Sequence, residues 1–257
     1  MTPTIFAILA SIGLFLGILA CLEAGFRVGR SSEKYTEAAH EGIGVIEAAV
    51  FALLGLLLGF SFSGGTSRMD TKRQLIVQEA NAISTAYLRL DQLPASEQPE
   101  MRRLFRQYLD ARLSVYEKLP DLKAVDQELA QATELQHEIW SRAVSASRGD
   151  PTQNSARLLL PAINEMIDIS TTRTIAMHTQ LPPLIFILLT VVALVSGLLA
   201  GYAMAKRGRR SWLHLLLYAG VIAITVYAVL DLEYPRFGLI HLDAADQALR
   251  QLRDSIH

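Results

Sequence analysis

Apolar residues in this chain fall into four unbroken runs, with a repeating stripe between the second run and the third. The runs are Pro3 to Ala24, Ile43 to Ser63, Leu181 to Met204 and Trp212 to Tyr234. Crossing the hydrocarbon core of a bilayer takes roughly 20 apolar residues in a helix, at about 1.5 Å rise each. Each run meets that length, so four transmembrane helices are expected. Tyr202, Trp212 and Tyr234 sit at run ends, where amphipathic rings prefer the headgroup layer.

The stripe has helical spacing. Met69, Arg73, Ile76, Ala80, Ile83, Tyr87 and Leu90 recur every three or four residues, and Leu93-Pro94 closes that helix. A second face reads Met101, Leu104, Phe105, Tyr108, Arg112 and Val115, ending near Leu119-Pro120. A third runs through Leu122, Val125, Leu129, Leu135, Ile139, Trp140 and Ala143 to the turn at Arg148-Gly149-Asp150-Pro151. A last helix is expected from about Asn154 towards His178, with Pro161 near its start or kinking it. Alternation of the strand type is missing throughout. The expected organisation is therefore all-α: residues 1–63 with spans one and two, 64–180 a helical soluble domain, 181–234 with spans three and four, and 235–257 a short amphipathic tail. The first soluble helix begins almost where the second span ends, so one long helix could leave the membrane and enter the soluble layer, with Gly64-Gly65 as the place where it could break or bend.

Composition adds little to this plan. Over 257 residues the net charge is −1, which gives no field for nucleic-acid binding. The single cysteine, Cys21, excludes an internal disulfide and any multi-cysteine metal site. No Lys or Arg precedes Arg27, so the first span lacks the basic flank of a cleaved signal peptide and is expected to stay in the mature chain. Phosphate loops, HExxH, GxSxG and CxxC are missing, and His137, His178, His214 and His241 are scattered without zinc spacing. Neither an enzyme, a cofactor nor a metal site is expected.

The chemistry concentrates on the second span and the ends of the spans. Ala48, Ala52, Gly55, Gly59 and Ser63 fall three or four apart and form one small-residue face. Such a face permits close helix packing in lipid, the reading the spacing alone favours. Alternatively it lines a pore, in which Phe60 and Phe62 form a constriction that gates by dewetting. Arg68, Lys72 and Arg73 make a basic group after the span, suited to concentrating anions at a mouth or to binding lipid headgroups. Glu47, one turn inside the span, reads as an interfacial carboxylate or as an ion-coordinating group. Asp231 and Glu233 close the fourth span and read as an ion pair with Arg236, or as vestibule charges.

Leu57-Leu58-Gly59-Phe60, followed by Arg68 and a polar helix, resembles the second transmembrane helix of bestrophins, in which a leucine-glycine-phenylalanine run lines the neck. Met69 and Asp70 stand where bestrophins carry two aromatics, and the tail lacks a calcium-clasp cluster. The whole chain is similar to a bacterial family of "bestrophin-like" membrane proteins. That likeness rests on Gly59 to Gly65, Glu79-Ala80-Asn81-Ala82, Thr85 to Leu90, Asn164 to Asp168 and Asp231 to Arg236. The resemblance implies a homo-oligomer, pentameric as in bestrophins, that conducts small inorganic anions and contacts lipid in the inner (plasma) membrane. It also implies a cytoplasmic soluble layer. The short loops oppose this, because Arg27, Arg30, Lys34, Lys206, Arg207, Arg209 and Arg210 would place those loops inside. Orientation stays open. A membrane sensor or partner-binding protein that uses its helical bundle is the alternative of a different class.

Overall fold

The computed structural model describes residues 3–31, 37–118, 121–149, 153–206, 212–234, 238–239 and 243–256. Among these, regular structure is helical: α1 Pro3–Ser31, α2 Glu37–Leu88, α3 Gln98–Glu117, α4 Leu122–Arg148, α5 Leu160–His178, α6 Pro183–Lys206, α7 Trp212–Glu233 and α8 Asp243–Ser255. The all-α expectation holds, as do the four spans. Helices long and apolar enough to cross a membrane occupy Thr4–Ser31, Gly44–Gln92, Pro183–Ala205 and Trp212–Glu233. This is a multi-pass membrane protein by helix length and composition.

Local chemistry sets the helix ends. Asp121 caps α4 by accepting from the amides of Lys123 and Ala124 at 3.1 and 3.2 Å. Ser155–Leu159 form one wide π turn, and α5 then begins with Pro161 in its first turn, where a missing N–H costs nothing. Helical backbone thus runs from Asn154 to His178 as expected, with Pro161 just after the π turn. The long helix continuing past the second span is found: α2 is a single 52-residue helix that Gly64-Gly65 does not break.

The chain divides into two compact units, 1–69 with 180–241, and 70–179 with 242–257. Helix α2 contributes to both. In the first unit α1 packs on α6 and α7 around Leu14, Ile18, Leu22, Ala193, Ala219 and Ile222. Helices α1 and α6 run parallel and meet through glycine. A Cβ at Gly25 would overlap the carbonyl of Leu198, and one at Gly201 would overlap that of Leu22. Both helices carry a Gly-xxx-Gly pair, Gly25/Gly29 and Gly197/Gly201, which lets backbones approach and gain dispersion where lipid supplies no hydrophobic drive. The outer faces expose Phe6, Leu9, Leu53, Leu184, Leu217 and Ile224, a pattern that suits hydrocarbon and not water.

In the second unit the rest of α2 joins α3, α4, α5 and α8. Their stripes close over Ile83, Leu104, Phe105, Ile139, Ile163 and Leu249, each at most 1 % exposed. The tail helix α8 belongs to this unit, and its Arg253 donates to Asp110 of α3 at 2.9 Å.

Candidate functional site

The first unit leaves α2 unusually bare. Of the most apolar stretch of each span, 28 % of residues are buried in α1, 33 % in α6 and 39 % in α7, but only 11 % in α2. Leu54 and Ser61 turn towards the other spans and are buried. Phe51 meets Tyr218 of α7 edge to face, with ring centroids 6.0 Å apart. The opposite side carries Ala48, Ala52, Gly55, Gly59 and Ser63, all exposed. Among the described residues, nothing lies within 4 Å of a Cβ built at Gly55 or Gly59. Phe60 and Phe62 are 67 and 46 % exposed. The small-residue face noticed in the sequence is therefore not consumed by packing within this chain. Gly25 and Gly29 of α1 and Gly197 and Gly201 of α6 do pack, and their equally regular spacing was passed over.

Past the aromatic pair, Arg68 reaches the end of α7. Its Nε donates to Glu233 Oε1 at 3.0 Å, and an Nη donates to the same carboxylate. The Leu181 amide, just before Pro182-Pro183, donates to Glu233 Oε2 at 3.0 Å. The Glu233 side chain is 1 % exposed and that of Arg68 is 25 % exposed. One carboxylate so ties α2, the entry to α6 and the end of α7 by charge-assisted bonds. The sequence suggested Arg236 as the partner, but Arg236 lies outside the described residues. Asp231 is buried too and accepts from the Leu239 amide at 3.0 Å, and a side chain at Gly238 would collide with it. Both acids are thus buried and bonded to groups of their own chain.

Of the other charges, Glu47 is half-buried and close enough to Tyr218 to act on it electrostatically. Tyr218 donates to Ser196 at 2.6 Å. In the second unit Arg73 is exposed and stands 3.6 Å from Asp70, one turn away, with Lys72 beside it.

That unit also holds a polar core. Glu79 is fully buried. It accepts from Arg112 Nε at 2.6 Å and from Arg173 Nη1, and both arginines are at most 2 % exposed. Asp246 of α8 lies 3.8 Å from Arg173. Nearby Gln136 donates to Tyr108 and Ser170, both at 3.0 Å. Burial, aided by the charge of Glu79, pushes the Tyr108 hydroxyl above its ordinary value. Arg112 and Asp246 were missed from sequence as members of this cluster. The signal was present for Arg112, which falls in register with Tyr108 and Val115 on an apolar face, because a cation there needs a buried anion.

Among the described residues no three His, Cys, Asp or Glu side chains gather in metal-binding proximity. A family model described as a bestrophin-like domain matches residues 4–243. No curated protein and no solved structure matches the chain.

Proposed function

The chain belongs to the bestrophin-like family, and from that premise we propose that it is a homo-oligomeric anion channel whose path is lined by α2. The observation carrying this reading is the small-residue face of Gly55, Gly59 and Ser63, which the described residues of the other spans leave uncovered, with the exposed Phe60 and Phe62 flanking it on either side. Copies arranged around an axis, five by the family resemblance, would bring these faces together. Phe60 and Phe62 then form the apolar narrowing, and its dewetting sets the gate. Glu47 and Arg68 stand about 32 Å apart along the helix, which brackets one hydrocarbon thickness. Because Glu233 holds Arg68, the anion-attracting charge after the span falls to Lys72 and Arg73. The protein works in the inner membrane and performs no catalytic step.

Chloride efflux from liposomes bearing the purified protein tests this, with empty liposomes as control and Phe60→Ala in parallel. Flux is expected, and it should rise in the variant as the narrowing widens. No flux from a folded oligomer of either form would transfer the assignment to a partner-binding protein acting through its helical bundle.

A further inference from the structure

At the end of the first unit where α1 and α6 finish and α7 begins, the three helices surround a cavity of about 420 Å³. Its walls are mostly apolar and aromatic, including Leu19, Phe26, Met204 and Trp212, with Glu23 and Arg27 as the charged members of the lining. The floor cannot fill in, because the close approach of Gly201 to the Leu22 carbonyl fixes the α1–α6 spacing. Charge sits at the rim. Arg27, with a side chain 78 % exposed, is held by its Nε to Glu23 at 2.8 Å. That contact orients the guanidinium and leaves its Nη edge for another anion. Arg30 follows one turn later at the end of α1 and is exposed. Trp212 opens α7, a position typical of the headgroup layer.

We propose that this cavity is a binding site for an anionic phospholipid. The acyl chain lies against Phe26, Met204 and Trp212, and the phosphate meets Arg27 and Arg30. The two halves of the site require the two halves of such a ligand. Apolar walls give a free inorganic anion little to bind, and the guanidinium edges of Arg27 and Arg30 favour a headgroup of net negative charge over a zwitterionic one. This site stands at the far end of α1, α6 and α7 from the Glu233 carboxylate and does not depend on conduction.

The chain has two tryptophans, so Trp140→Phe leaves Trp212 as the sole reporter beside the cavity. This full-length protein is reconstituted in phosphatidylcholine containing a small, equal fraction of either brominated phosphatidylglycerol or brominated phosphatidylcholine. Quenching of Trp212 by the anionic lipid should exceed that by the zwitterionic one severalfold, and high salt should shrink the excess. Arg27→Gln and Arg30→Gln should each lower the relative affinity about five-fold, whereas Arg106→Gln on exposed α3 should leave it unchanged. Equal quenching by the two lipids overturns the proposal. So does an anionic preference that survives both rim substitutions, or one that in the unsubstituted rim is indifferent to salt.

Discussion

Arg68 on the second span donates to Glu233, the last residue of α7, across 165 residues of sequence, and the carboxylate it reaches is nearly out of solvent. The two partners are not equally costly to lose. Without Arg68, Glu233 is a buried anion left with one backbone amide. Without Glu233, Arg68 keeps a quarter of its surface in contact with solvent.

Arg68→Met should therefore destabilise the protein by about 3–5 kcal/mol, the range for breaking a buried pair. Glu233→Gln should cost less, since glutamine still accepts and Arg68 can rehydrate. Combining Arg68→Met with Glu233→Leu should recover much of the loss, because no charge then stays buried. Chemical unfolding in detergent, read as a double-mutant cycle, measures all three. Equal losses for the two single variants would mean that the pair is screened by solvent.

In the second unit Glu79 answers two arginines at once, so it is the member whose loss leaves the most charge unmatched. Glu79→Gln is expected to cost about 3–5 kcal/mol. Asp246→Asn, whose oxygen stands 3.8 Å from Arg173, should cost on the order of 1 kcal/mol. Unfolding midpoints of the two variants give the order directly. A larger effect at Asp246 would make the tail helix the keystone of this core.

These two ion pairs show where sequence reading stopped. The spans were readable because length and apolarity are local properties that one window of residues displays. The helices between spans two and three were readable for the same reason, down to the start at Leu122 and the ending before Pro94. Partners were not. Nothing near Glu233 points to Arg68, and Arg236 was the natural guess because it is adjacent in sequence. Small-residue spacing likewise says that a backbone can be approached, but not by what. Gly25/Gly29 and Gly197/Gly201 meet each other, while the equally regular Gly55/Gly59 face meets nothing in its own chain.

Tyr108 provides a pH signature for the second unit. Burial, with the charge of Glu79 adding to it, raises the hydroxyl above its ordinary value. The folded value thus exceeds the unfolded one of about 10. Its contribution to stability is whole below that pH and is lost as pH climbs through the folded value. Stability followed by far-UV dichroism should fall above about pH 10, and Tyr108→Phe should flatten that fall while giving up the Gln136 bond at lower pH. An unchanged alkaline slope in the variant would assign the loss to other tyrosines.

The glycines separate packing inside the chain from whatever lies outside it. A methyl at Gly25 or Gly201 would occupy the place of a backbone carbonyl, so Gly25→Ala or Gly201→Ala must push α1 and α6 apart, at about 1–3 kcal/mol. At Gly59 the same methyl enters open space. Within one chain Gly59→Ala should be neutral or gain up to about 1 kcal/mol from better helix propensity. Any defect it causes must then come from a neighbour that is not part of this chain. Melting, oligomer mass and chloride efflux measured on the same Gly59→Ala preparation distinguish the cases. Unchanged melting and mass with altered efflux would support the lining of a path by this face. Lost mass with unchanged secondary structure would support a contact between copies. A drop in melting with intact mass would mean that α2 is covered by its own chain after all, and the channel reading would lose the observation on which it rests.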